Sequence, residues 1–191
     1  MRLKELADLH IGLPIKRWES PGGTEHRMLS ARQISPYGEI TGSEPFSARV
    51  GIGGMFFTRP GDIVMKIAAP NQALCITREE DCGLLVSSYF AIIRCRQPGR
   101  CAPEYLNAFF NSPAFAQAAG RARICSTVQS LKLSTLQELE IPLPDPERQR
   151  SIAEFFALSN AEQKQLEALL TAKRRYHQFL LARQFGGDRG Q

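Results

Sequence analysis

The strongest constraint on this chain is the place where its turn-forming residues run out. All 12 prolines lie at or before Pro146, and no glycine occurs between Gly120 and Gly186. Asp145-Pro146-Glu147 reads as a helix start. Asp145 can cap free backbone N–H groups, Pro146 suits the first helical position, and Glu147 favours the positive helix end. Helix formers then dominate as far as Gln184, and Gly186-Gly187 ends the run. Apolar residues recur at Ile152, Phe155, Phe156, Leu166, Leu169, Leu170, Tyr176, Phe179 and Leu180, as a helical stripe requires. One helix from Glu147 to Gln184 would span about 57 Å at 1.5 Å per residue. The stripe weakens between Ser159 and Gln163, where a break is allowed. Two readings follow: a terminal helix folded back on its own domain, or a helix that offers its stripe to a partner. Its length favours the second.

A chain of 191 residues fits one domain with an appendage. There is no apolar run of about 18 residues, so no membrane span is expected. Lys4, Glu5 and Asp8 interrupt the apolar positions of Met1 to Ile11, which suits an amphipathic element rather than a secretory signal. A cytoplasmic location is the expectation. The five cysteines are odd in number and form no C-x-x-C pair, which argues for reduced thiols. Cys75 and Cys95 sit in apolar, strand-like runs and read as core fillers. His10, His26 and His177 have no second ligand at metal spacing, so neither a metal nor a cofactor is expected. A net charge of +5 permits binding to a polyanion without requiring it.

Residues 1–144 read as a mixed, largely β domain with several short helices. Residues 145–185 read as the long helix and 186–191 as a flexible tail, for an α+β chain. Met1 to Leu9 forms a short helical or strand–helix lead. Gly12 to Gly23 is expected to be a loop. Short strands are expected over Met28 to Ile34 and Gly38 to Ile40, around a Ser35-Pro36-Tyr37-Gly38 turn. Pro60-Gly61-Asp62 launches a strand over Ile63 to Ile67, and further strands follow at Ala73 to Thr77, Leu84 to Val86 and Tyr89 to Arg94. Pro103 starts a helix through Phe110. Ser112-Pro113 caps another through Ala119, and a last short helix precedes Pro142.

The order of these pieces resembles a known pattern. Leu6-Ala7-Asp8 with Ile11-Gly12 opens it, and Gly61-Asp62-Ile63-Val64 follows. Next come Ser87-Ser88-Tyr89-Phe90, then Pro103-Glu104-Tyr105-Leu106 with Asn111-Ser112. The turn Ser126-Thr127-Val128-Gln129 precedes Ile141-Pro142-Leu143-Pro144, and Glu147, Gln149, Ile152 and Ala153 close the set. Over roughly residues 3 to 155 this resembles the specificity subunits of type I restriction-modification enzymes. That family has two such halves in tandem, and this chain has one. The resemblance implies a target-recognition domain with a spacer helix that holds double-stranded DNA for a methyltransferase subunit, and for a nuclease–translocase subunit where present. A functional half-length form would pair with a second copy, or with another half-subunit, through Ile152, Phe155, Phe156, Leu166, Leu169, Leu170, Tyr176 and Leu180; the alternative is a fragment of a split or truncated gene.

A recognition subunit need not be an enzyme, and no catalytic set is visible. There is no phosphate loop and no Asn-Pro-Pro-Tyr motif. Asp62 and Lys66 resemble half of a nuclease site, but the E-x-K element is missing. Asp62 reads instead as a turn residue that satisfies local N–H groups. Candidate DNA contacts are those whose chemistry suits phosphates or base edges. They are Lys16 and Arg17, Arg27 and Arg32, Lys66, Asn71 and Gln72, and Arg121, Arg123, Ser126, Thr127 and Gln129. Each has a plain structural alternative: a solvated cation, or an amide or hydroxyl that ties down its own loop. The lone Trp18 reads as packing. A protein–protein adaptor that uses the long helix is the competing reading.

Overall fold

The computed structural model describes residues 1–124 and 130–186. They divide into two units, the first running from Met1 to Ala153 and the second beginning at Glu154. At the centre of the first unit is a four-stranded antiparallel sheet in the order β1-β7-β4-β5. Its strands are β1 (Ala7–Ile11), β4 (Asp62–Lys66), β5 (Gln72–Cys75) and β7 (Phe90–Cys95). Side chains alternate between the faces of a strand. On one face, Ile63, Met65, Ala73, Ala91 and Ile93 are buried against α1 (Leu3–Leu6), α3 (Pro103–Phe110), α4 (Pro113–Ile124) and α5 (Leu133–Gln137). On the other, Val64, Leu74, Phe90 and Ile92 meet Leu29, Ile40, Leu84 and Val86. Both faces are covered, which is why Ile63-Val64-Met65 and Ala91-Ile92-Ile93 are apolar without interruption.

A second sheet has the order β3-β2-β6, with β2 (Glu19–Leu29), β3 (Glu44–Ala48) and β6 (Leu85–Val86). Here the structure departs from the expected loop over Gly12 to Gly23. Ile15–Trp18 is a one-turn helix, α2, and β2 begins at Glu19. Ile15 and Trp18 lie one turn apart and both pack on a third core of Leu13, Met28, Phe46, Ala48 and Leu85. Glu19 and Thr24 both stand opposite Ala48, so Ser20-Pro21-Gly22-Gly23 make no cross-strand pair and bulge out of the strand, as their turn-forming composition suits. Trp18 packs, as expected. Pro45 is tolerated in β3 because β3 is an edge strand. Residues 30–34 are not strand: Ala31–Gln33 form a 3-10 turn, and Ile34 makes only a single bridge to Ile40. The helix from Pro113 also runs past Ala119, to Ile124.

Asp62 is buried at the start of β4. Its carboxylate accepts the Arg59 N–H at 2.8 Å, the turn role its position suggests. It also takes two bonds of 2.7 Å from the Arg94 guanidinium, a cross-strand pair beyond the reach of local sequence reading. These bonds raise the Arg94 pKa above its ordinary value. Cys101 is buried in the first core, Cys95 on the interior strand β7 is half-buried and packs on that core as expected, and Cys75 is half-buried on the edge strand β5. Burial pushes the Cys75 thiol up to about 12. Hydrogen bonding to Cys101, together with burial, pushes Cys95 up as well. Both stay protonated at neutral pH. Cys125 lies outside the described residues.

The long helix α6 runs from Pro146 to Gly186, and the allowed break near Ser159 to Gln163 does not occur. Neither glycine nor proline interrupts that stretch. Asp145 caps the helix start, its Oδ1 accepting the Arg148 N–H at 2.8 Å. The first turns belong to the domain. Gln149 is 2 % exposed. Its Oε1 accepts the Ala102 N–H at 3.0 Å, and its Nε2 donates to the carbonyls of Arg100 (3.0 Å) and Pro144 (2.8 Å). Ile152 packs on the first core, so it serves the domain rather than a partner. The compact unit thereby runs past Pro144 to Ala153.

In the second unit the stripe is open to solvent. Phe155 is 73 % exposed, and Leu166, Leu169, Leu170, Tyr176 and Phe179 are exposed with it. Leu180 stands at the margin of exposure, and Phe156 is half-buried.

Replacing Gln149 by leucine strands an N–H and two carbonyls that the amide now satisfies. The first unit should lose about 3 kcal/mol of unfolding free energy, measured by urea denaturation.

Candidate nucleic-acid interface

The sheet brings separate loops to one of its ends. β1 and β4 finish there, with Ile11 opposite Ala91 and Lys66 opposite both Phe90 and Gln72. Backbone hydrogen bonds then join the connections. The Gly12 N–H donates to the Phe90 carbonyl at 3.0 Å, and the Ser88 N–H to the Leu13 carbonyl at 2.8 Å. The Ile67 N–H donates to the Tyr89 carbonyl at 3.1 Å, and the Leu131 N–H to the Ile67 carbonyl at 3.0 Å. Ser130 forms a bridge with Ala68. Only glycine fits at position 12, because a Cβ there would stand 2.2 Å from the Ser87 carbonyl oxygen. Four stretches, residues 12–14, 67–71, 87–89 and 130–131, thus share one rim.

The predicted residues divide across this arrangement. Lys66 ends β4 on the rim. Lys16 and Arg17 are exposed on α2, which follows the 12–14 connection. Arg121 is exposed on α4, and Arg32 is exposed in the turn just before Ser35. Asn71 and Gln72 reach the rim, but their amides act within the fold. Asn71 Nδ2 donates to the Lys66 and Ile67 carbonyls at 2.8 and 3.2 Å, closing its own loop. Gln72 Nε2 donates to the Ser35 carbonyl at 2.7 Å and ties the Ser35–Gly38 turn to β5. Arg27 is not part of the rim. Its Nη2 donates to the Glu80 and Cys82 carbonyls at 3.3 Å, beyond the opposite end of β5. The side chain of Arg123, and Ser126, Thr127 and Gln129, lie outside the described residues.

Charge is distributed unevenly. At the opposite end of the sheet Arg94 pairs with Asp62, Arg96 with Asp8, and Arg78 with Glu80 and Asp81. Lys4 and Arg2 share Glu138. Among the described residues, Lys16, Arg17, Arg32, Lys66 and Arg121 form no ion pair. Their charge is not already neutralised, as a polyanion surface requires.

Sequence reasoning missed two residues. Tyr89, 66 % exposed, stands on the rim where the sequence reads as a strand. It offers a flat ring and a hydroxyl beside the Ile67 backbone. Arg49, exposed and without an ion pair among the described residues, follows β3 into a glycine-rich loop. The signal for Arg49 was present in the sequence: between Glu44 and Asp62 there is no acidic residue. No group of three His, Cys, Asp or Glu suited to a metal occurs among the described residues. None of their helices is long and apolar enough to cross a membrane.

No protein-family model matches the chain, and no curated protein sequence matches it. Solved structures do. A chain from a structure concerned with complex assembly and conformational transition of the type I R-M system aligns with a TM-score of 0.69 at 18% identity, over 96% of this chain and 47% of its own length. The HsdS subunit from Thermoanaerobacter tengcongensis aligns with a TM-score of 0.57 at 19% identity, over 98% of this chain and 44% of its own. The type I restriction-modification system S subunit from M. genitalium aligns with a TM-score of 0.59 at 16% identity, over 99% of this chain and 46% of its own. The fold is therefore that of type I specificity subunits: an α+β domain followed by a long helix. The chain spans about half the length of the solved chains it matches.

Proposed function

We propose that this chain supplies one target-recognition domain and its spacer helix to the specificity subunit of a type I restriction-modification system. Its first unit would hold a short duplex sequence, and it would position a methyltransferase subunit there, with a nuclease–translocase subunit where present. Chemistry would belong to those partners. The observation that carries this reading is the fold likeness over nearly the whole chain to S subunits. The rim adds support, since unpaired cations, an exposed tyrosine and polar turns suit phosphates and base edges.

The proposal extends to a dimer of two identical chains, and the second unit supports it. With Leu166 and Leu169 as neighbouring seam positions, the seam of α6 continues through Phe155, Ser159, Glu162, Lys173, Tyr176 and Leu180. Two copies laid antiparallel, with the two-fold axis between Glu167 and Ala168, match this seam to itself. Leu166 meets Leu169, Phe155 meets Leu180, Ser159 meets Tyr176, and Glu162 meets Lys173. A parallel pair in register would set Glu162 against Glu162 and Lys173 against Lys173. Charge thus selects the antiparallel arrangement. A dimer of this kind would read two identical half-sites.

Two experiments test these statements. Binding of the full chain to genomic duplex fragments should show a preferred sequence and fall steeply with salt. Lys16→Gln, Arg17→Gln and Lys66→Gln should each weaken binding similarly on all sequences and lower the salt slope by about one. An adaptor would show neither preference nor salt dependence. For the dimer, Glu162→Lys and Lys173→Glu should each weaken self-association at least about tenfold in sedimentation equilibrium. Mixing the two variants should restore it, because each then meets its complement. Single variants that associate like the wild type would contradict the register.

A further inference from the structure

We infer that the glycine-rich loop from Arg49 to Met55 is a second DNA-contacting element, one that grips a backbone phosphate. This rests on the DNA-recognition reading above. Two stretches of the chain, Leu9 to Trp18 and Pro45 to Gly61, contain no acidic residue and carry Lys16, Arg17, Arg49 and Arg59. The fold joins them. The Arg49 N–H donates to the Trp18 carbonyl at 3.0 Å. The His10 ring nitrogen bonds the Met55 carbonyl at 2.5 Å, and Arg59 Nη2 donates to the Gly54 carbonyl at 3.2 Å. Ile52 and Phe56 pack on the third core and hold the loop down. Arg49 is left exposed beside α2, with no ion pair among the described residues.

The loop backbone is the second observation. The N–H groups of Gly51, Ile52 and Gly53 make no hydrogen bond among the described residues. Gly51 has φ of 95°, and a Cβ there would meet nothing within 4 Å, so a ligand can approach the main chain closely. Free amides next to an arginine are donors that a phosphate oxygen can accept from. Val50, 85 % exposed, projects beside them. It would pack against a deoxyribose once the phosphate is held. A phosphodiester supplies both contacts, a charged oxygen pair and an apolar sugar, whereas inorganic phosphate supplies only the first.

Two substitutions separate the parts. Arg49→Gln removes a charge. It should weaken duplex binding about tenfold at moderate salt, on every sequence alike, and lower the salt slope by about one. Gly53 has φ of −65°, the value proline requires, so Gly53→Pro deletes one amide donor without forcing the backbone. It should weaken binding several-fold with the salt slope unchanged, because the donor is neutral. Thermal unfolding of each variant is the control for folding. Phosphate-ethylation interference on the wild-type complex should show a blocked phosphate that becomes indifferent in Arg49→Gln. If the wild type binds DNA with site preference and salt dependence, but both variants bind as it does, the loop has no such role. Displacement of DNA by millimolar inorganic phosphate would make it a free-anion site and overturn the assignment. If the wild type binds no DNA at all, the recognition reading falls and this inference falls with it.

Discussion

Ile63 and Met65 enter one core and Val64 the other, so β4 has no face left for solvent. Its neighbours β5 and β7 are divided in the same way. Each fully buried aliphatic side chain in this sheet contributes roughly 1.5–3 kcal/mol. A slip of one residue would exchange every one of them between unlike cores. Register is therefore tightly specified, and with it the positions of the strand ends. The rim is a consequence. Lys66, Tyr89 and the 12–14 connection meet because Lys66 must face Phe90 and Ile11 must face Ala91.

The two ends of the sheet show different uses of charge. At one, Asp62 is buried and depends on Arg94 and the Arg59 N–H for compensation. Loss of the Arg94 guanidinium would leave an unpaired carboxylate inside the protein. That end is structural, and the Gln149 contacts hold the first turns of α6 to the Arg100 carbonyl and the Ala102 N–H that precede α3. Towards the other end, Lys16, Arg17 and Lys66 form no ion pair among the described residues. The division assigns stability to one set of ionisable groups and leaves another set available for a polyanion.

Elements with strong local signals were legible in the sequence. The helix from Pro146, its Asp145 cap, the Pro60-Gly61-Asp62 turn and the strand after it all follow from residue type and spacing. The region from Gly12 to Ala48 was legible only in part: the Ser35–Gly38 turn and the packing of Trp18 follow from the sequence, whereas the long β2 with its bulge at residues 20–23, and Pro45 within β3, depend on pairing between distant segments. The candidate contacts were legible as chemistry rather than as places. Asn71 and Gln72 have the right groups for base edges, yet their amides close loops. Arg27 has the right charge at the wrong end. Tyr89 and Arg49 become visible only when the sheet brings their loops forward. The open seam of α6, by contrast, was readable because helical period alone defines a face.

The most direct measurement is a map of methylated bases in host DNA with and without this gene. The account predicts methylation at a two-part, symmetric motif that disappears on deletion, as two identical half-site readers require. Methylation at such motifs that persists unchanged without the gene would contradict it.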